Sequence, residues 1–247
     1  MKIPKLKKYQ SDFEHSYCLG VYPTLELIAY QPHSVLSVLL HSKGKKNQGV
    51  EKIRQLAANL QINIQENDHL VEKLSQRGNT YAIGIFQKYV GEINPLENHL
   101  VLVHPSSMGN VGTIMRTMLG FGCQDLAIIE PAADLFHPKV IRASMGAAFQ
   151  VRSKSFNTFP DYWGSYANHN LYPLMTDGKI ALPDAFLEQP YALIFGDEAS
   201  GLGDEFHQFG TSLRIPQSDK VDSLNLAQAV GIVLYQGWNQ TGQGSKE

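Results

Sequence analysis

The chain has 247 residues, 43% hydrophobic and 18% charged, with a net charge of −2 at pH 7. That balance is that of a folded globular protein and excludes a disordered chain or a polycation. No apolar run approaches the roughly 20 residues that span a bilayer.

The length suits two modest domains or one large one. The start, MKIPKLKKYQSDFEH, has lysines but no apolar stretch behind them, so secretion is not expected. Cys18 and Cys123, the only cysteines, make neither a disulfide framework nor a metal cluster, and a reducing, cytoplasmic setting follows. The nine histidines form no H-x-x-x-H pair, so no metal is expected. Charge is unevenly spread: residues 1–54 hold nine Lys or Arg against four Asp or Glu. Lys139, Arg142, Arg152 and Lys154 lie between Leu135 and Pro160 without an acidic neighbour in that stretch. Segregated basic segments suit a phosphate-bearing polymer as well as a solvated face.

After the basic arm, Pro23–Gln31 reads as a helix, Val35–His41 as a strand and Ser42–Gln48 as a lysine-rich loop. Gly49–Leu60 reads as a helix, Ile62–Gln65 as a strand, Asp68–Gln76 as a helix and Tyr81–Val90 as a strand. These make a small α/β domain, with Gly91–Asn98 as a hinge. The second half then alternates again. Its apolar strands are Leu100–Val103, Asp125–Ile129, Asn170–Leu174, Ala192–Gly196 and Ser212–Ile215, and its helices Val111–Phe121, Pro138–Phe149 and Leu224–Trp238. Continuously apolar strands between helices predict a parallel sheet covered on both faces. The expected domains are therefore 1–92 and 99–242.

Three loops at strand ends stand out, because ligands of open α/β sheets collect there. In the first, Gly109-Asn110-Val111-Gly112-Thr113-Ile114-Met115-Arg116-Thr117, Asn110 is a good helix N-cap. Val111, Ile114, Met115, Met118 and Leu119 would form a buried face, leaving Arg116 outward to meet an anion. In the second, a buried strand ends at Gly196 and passes into Asp197, Glu198 and Gly201; either carboxylate could instead cap a following helix. In the third, Ile215-Pro216 leads through a polar loop to Ser223, Leu224 and Asn225 at the start of a helix that is apolar nearly all round.

Together these segments resemble the motifs of the SpoU/TrmH branch of the SPOUT RNA methyltransferases. Asn110, Gly112, Arg116 and Thr117 match its N-x-G-x-x-x-R-T, and Gly196, Glu198, Gly201 and Leu202 resemble its G-x-E-x-x-G-L. Ile215, Pro216, Ser223, Leu224 and Asn225 resemble its I-P … S-L-N. Pro138–Ala147 looks like its P-K-x-x-R-A-S-x-G-A. The first ninety residues look like its ribosomal-protein-like substrate-binding domain. Two departures, Met108 where a proline is usual and Arg77-Gly78-Asn79 where H-Q-G is usual, leave the RNA target open.

The resemblance implies a knotted α/β methyltransferase domain, a homodimer joined through the last helix, and S-adenosyl-L-methionine held at Gly196, Gly201, Ile215 and Leu224. It implies methyl transfer to a ribose 2′-hydroxyl of rRNA or tRNA, with Asn110, Arg116, Glu198, Ser223 and Asn225 as the catalytic set. Neither DNA nor a membrane is an expected partner. The alternative is a non-catalytic, ribosome-associated RNA-binding protein that keeps the knot as a scaffold. A conventional nucleotide-binding fold would carry G-x-G-x-x-G or a P-loop, and neither occurs.

Overall fold

A computed structural model describes residues 6–75 and 79–241. Arg77, Gly78, Gln76, the first five residues of the basic arm and the polar tail from 242 lie outside the described residues. The chain divides into two compact units, Met1–Tyr89 with Asp134–Gln150, and Val90–Ala133 with Val151–Glu247. The first half runs β1 (His15–Leu19), α1 (Val21–Tyr30), β2 (Val35–Leu40), α2 (Gln48–Asn59), β3 (Ile64–Glu66), α3 (Asp68–Ser75) and β4 (Ala82–Gln87). Then follow β5 (His99–Val103), α4 (Met108–Gly120), β6 (Asp125–Ile129), α5 (Pro138–Ala143), β7 (Arg152–Phe156) and α6 (Phe159–Ser165). The chain closes with β8 (Asn170–Pro173), β9 (Ile180–Ala181), β10 (Tyr191–Phe195), β11 (Leu213–Arg214) and α7 (Leu226–Gln240).

The first unit is a mixed sheet of order β1-β4-β2-β3. Alternation along β2 splits its side chains between two faces. Leu39 packs with Val71 and Leu74 of α3, whereas Val38 and Leu40 pack with Ile28 of α1 and Val50 and Ile53 of α2. Strand β1 was not expected; its sequence, HSYCL, hides in the basic arm. The segment Asp134–Gln150, which the sequence reading put in the second domain, packs in the first unit instead. Phe136 lies against Phe86 and Tyr89, and Phe149 against Phe86. The Gln31 amide donates to the Phe149 carbonyl at 3.0 Å. The expected helix over Pro138–Phe149 stops at Ala143, because Met145 and Gly146 take left-handed dihedrals (φ 52° and 87°) before a short 3-10 turn.

The second unit is a five-stranded sheet of order β7-β6-β5-β10-β8, parallel throughout. Val101, Val103, Ala127, Ile129, Ala192 and Ile194 face a core with Phe159 and Tyr162 of α6. The intervening Leu100, Leu102, Leu126, Ile128 and Leu193 are equally buried and face the other side, as alternation requires. Helices α4 and α7 pack against each other. The expected strand Ser212–Ile215 is not in this sheet. Only Leu213–Arg214 is extended, and it pairs with Ile180–Ala181 in a separate two-stranded ribbon. Its place is taken by β7, RSKSF, whose polar sequence suits a sheet edge and carries no apolar run to announce it. The strand order reverses between β5 and β10, so the crevice expected to hold a ligand lies beyond their carboxyl ends.

Candidate active site

Beyond β5 the chain turns through His104-Pro105-Ser106-Ser107 into α4. Ser107, not Asn110, caps this helix, its hydroxyl accepting the Asn110 N–H at 3.3 Å. Asn110 is therefore already helical, and its amide is free for other work. That amide donates to Oε1 of Glu198 at 3.1 Å and accepts from the Asn225 amide at 3.2 Å. Val111, Ile114, Met115 and Met118 are buried as the helical spacing predicts, while Leu119, also expected on that face, is only half-buried near the helix end.

Glu198 sits beyond β10. Its carboxylate takes the Ser106 N–H at 3.1 Å, the Ser106 hydroxyl at 2.9 Å, the Ser107 N–H at 3.1 Å and the Asn110 amide. Burial alone would push this carboxyl up. The donors from Ser106 and Asn110 outweigh it and hold the group below the ordinary glutamate range. Asn225 in turn caps α7, accepting the Ala227 N–H at 3.0 Å and the Gln228 N–H at 3.4 Å. A single polar chain, Ser106/Ser107 to Glu198 to Asn110 to Asn225, thus ties together the three loops that the motifs occupy. Neither carboxylate after Gly196 caps a helix, as no α-helix follows. Asp197 instead closes a turn, accepting the Ala199 and Ser200 N–H groups at 2.7 and 2.8 Å and the Ser200 hydroxyl. These contacts, the Ser200 hydroxyl foremost, hold it below the usual carboxylate range.

Beside this chain lies a cleft of about 410 Å³ lined by Gly196, Glu198, Gly201, Ile215, Ser223 and Leu224, six of the nine expected site residues. Leu174, Phe195, Leu202 and Leu226 make its apolar surface. Gly196 must be glycine: a Cβ there would lie 2.0 Å from the Gly201 carbonyl carbon. Asp177, Asp197, Glu198, Asp204 and Asp222 line the cleft, and no lysine, arginine or histidine is among its described lining residues. Such a cleft favours a partly cationic ligand with apolar parts and disfavours a phosphate. Sequence reasoning missed Ser106, Ser107 and most of this acidic rim. The adjacent serines before a glycine-rich helix start are the signal that could have pointed to the first two.

Of the remaining expected residues, Asn110 and Asn225 are hydrogen-bonded to the site without lining the cleft. Arg116 is exposed on α4 and, among the described residues, has no hydrogen-bond or ion-pair partner. Among the described residues no set of His, Cys, Asp or Glu side chains could hold a metal ion, and no helix is long and apolar enough to cross a membrane.

An all-parallel α/β sheet with an apolar, acid-rimmed cleft at its switch point places this chain among α/β proteins whose strand-end loops form a small-molecule-sized crevice. The chain belongs to the SpoU rRNA Methylase family, whose model matches residues 97–235. It is similar to an uncharacterized tRNA/rRNA methyltransferase of Synechocystis, with 31% identity over 144 residues that cover 57% of this chain and 53% of that protein. It is also similar to the 23S rRNA (uridine(2479)-2′-O)-methyltransferase of Streptomyces viridochromogenes, 31% identical over 145 residues covering 55% of this chain and 50% of the other. The chain thus matches about half the length of each of these relatives. Its fold is that of the AdoMet-bound rRNA methyltransferase of Sinorhizobium meliloti, with a TM-score of 0.79 at 22% identity over 92% of this chain and 87% of that one.

Proposed function

We propose that the protein transfers a methyl group from S-adenosylmethionine to a ribose 2′-hydroxyl of structured RNA, either rRNA or tRNA. The observation that carries this reading is the polar chain from Ser106 to Asn225, which unites the family's motif residues around one cleft. The fit to the cofactor is electrostatic and steric. S-adenosylmethionine bears a sulfonium and an ammonium, and the acidic rim attracts both. The backbone at Gly196, Gly201, Ile215 and Leu224 would hold its apolar and adenine parts.

When bound, the cofactor supplies an activated methyl group with a neutral thioether as its leaving group. The chain's own residues must bring the 2′-hydroxyl into line and ease loss of its proton. A guanidinium stays charged at any physiological pH, so Arg116 is better suited to gripping an RNA phosphate and stabilising the developing alkoxide than to acting as a base. Glu198 and Asn110 hold the β5–α4 loop against the β10 loop, and Ser223 and Asn225 present the α7 start. In this reading residues 1–92, together with Asp134–Gln150 that packs in their unit, bind the RNA, and the rest of residues 99–242 carries out the transfer.

Two further properties belong to the same proposal. The first is a trefoil knot in the second unit. Close backbone crossings support it: a Cβ on Gly178 would lie 2.3 Å from the Leu213 carbonyl carbon, beside the equally tight Gly196–Gly201 approach. The second is a homodimer through α7. Ile232 and Tyr235 are 42% and 50% exposed on that helix, and Tyr235 adjoins Phe121 at 5.9 Å between ring centroids. Such an apolar, aromatic face suits a subunit interface.

The test is calorimetric titration with S-adenosylmethionine, followed by mapping of 2′-O-methylation in RNA from cells with and without the protein. Binding, together with loss of one methylated site in the deletion strain, is the expected result. A protein that binds RNA but no S-adenosylmethionine would instead be the non-catalytic scaffold.

A further inference from the structure

A second cleft of about 410 Å³ opens in the second unit, beyond the carboxyl ends of β5 and β6. Its floor is apolar and buried: Val103, Ile129, Phe159 and Phe206 are 6%, 2%, 6% and 6% exposed. Its rim carries His104, Asn157 and Glu205, all exposed. None of these three side chains has a hydrogen-bond partner among the described residues. His104 is also held in a left-handed conformation (φ 55°), its N–H donating to the Ile129 carbonyl at 3.0 Å. A non-glycine residue there is strained, and such outliers gather at functional sites.

The chemistry of the rim selects the ligand. No lysine or arginine is among the described lining residues, and the carboxylates of Asp197 and Glu205 are, so the cleft disfavours a phosphate. A flat, neutral ring over an apolar floor, edged by hydrogen-bonding groups, is what fits. Asp197 already accepts three donors from its own turn, which leaves Glu205 as the rim carboxylate with no hydrogen-bond partner among the described residues. Guanine offers such a carboxylate two parallel donors, N1–H and N2–H; adenine, cytosine and uracil each offer one N–H group at the matching edge.

Location ties this cleft to the first. Asp197, Ser200, Gly201 and Leu202 line both, so the two are separated by the thickness of one loop. The loop from His104 to Ser107 begins at the second cleft and ends on the Glu198 carboxylate. We infer that the second cleft receives a guanine base of the RNA chain, placed so that a nearby ribose meets the first cleft. This inference rests on the RNA reading above and adds a base preference to it.

The test titrates the full-length protein with the triribonucleotides ApGpA and ApApA and with guanosine 5′-monophosphate, beside S-adenosylmethionine. ApGpA should bind at least tenfold more tightly than ApApA and no more weakly than the mononucleotide. Glu205→Gln should abolish the tenfold preference, and Asn157→Ala should reduce it, with affinity for S-adenosylmethionine unchanged in both. Equal binding of the two trinucleotides, or a preference that survives Glu205→Gln, overturns the inference. So does tighter binding of the mononucleotide, which would mark a free-nucleotide site. If S-adenosylmethionine itself fails to bind, the methyltransferase reading falls; if it binds and no guanine preference exists, only the present inference does.

Discussion

Glu198 shows how a residue that looks like a helix cap can become the joint of a site. Its four donors come from the β5–α4 loop and from α4, some 90 residues earlier in the chain. Glu198→Gln turns an amide toward donors that need an acceptor, and should cost about 1–3 kcal/mol at neutral pH. The sign of the pH dependence follows from the lowered carboxyl. Stability from a depressed glutamate is fully present above its unfolded pKa of about 4.3 and is lost as pH falls through the folded value. Urea denaturation of wild type and variant should therefore show a gap that is constant from pH 8 to 6 and closes in acid. A gap that widens on acidification would contradict this assignment. The same network explains why Asn110 was legible as important but not in its role. Ser107 lies three residues ahead and takes the cap, which no propensity rule ranks above asparagine.

At the scale of elements, what the sequence made legible followed burial. Strands β5, β6 and β10 are apolar runs because both faces are covered, and each lies within a residue or so of its expected span. Strand β7 is polar because it is an edge, β1 mixes polar and apolar residues directly behind a lysine-rich arm, and Leu213–Arg214 is a two-residue ribbon that an apolar run overstated. Long-range pairing decides such strands, and local pattern does not record it.

The amino end of the parallel sheet has its own signature. His99 is fully buried, hydrogen-bonded to Tyr162 at 2.9 Å and to the Asn94 carbonyl at 2.8 Å, and stacked 4.1 Å from His169. Burial pushes it down to about 4. Below about pH 6.5 the unfolded chain takes up a proton that the folded one refuses, so stability should fall by roughly 3 kcal/mol between pH 6.5 and 4 and then level off. His99→Asn should flatten that slope in pH-dependent denaturation, and an unchanged slope would rule His99 out as its source. At the opposite end of the sheet, Gly196→Ala should lower stability by about 1–3 kcal/mol or more and weaken S-adenosylmethionine binding, because its methyl group would meet the Gly201 carbonyl. Thermal melts with and without the cofactor would show both effects.

For the whole molecule, the fold brings the three motif loops together: two leave the carboxyl side of one parallel sheet near its switch point, and the third, after the β9–β11 ribbon, joins them through the Asn225–Asn110 hydrogen bond. Less legible was the acidic rim, since Asp177, Asp204 and Asp222 are far apart in sequence and carry no pattern of their own. Assembly is tested by the exposed face of α7. Tyr235→Glu should shift the protein from dimer to monomer in light scattering, and a wild-type monomer would contradict the proposed interface.

The most direct test of the central claim pairs cofactor binding with turnover in Arg116→Ala. RNA from cells lacking the protein is incubated with S-adenosylmethionine and either wild type or variant, and 2′-O-methylation is mapped. The account predicts that wild type restores one methylated ribose, while the variant folds, binds S-adenosylmethionine with unchanged affinity and loses at least a hundredfold in rate. Near-normal turnover by the variant, or no methyl transfer by the wild type, would contradict it.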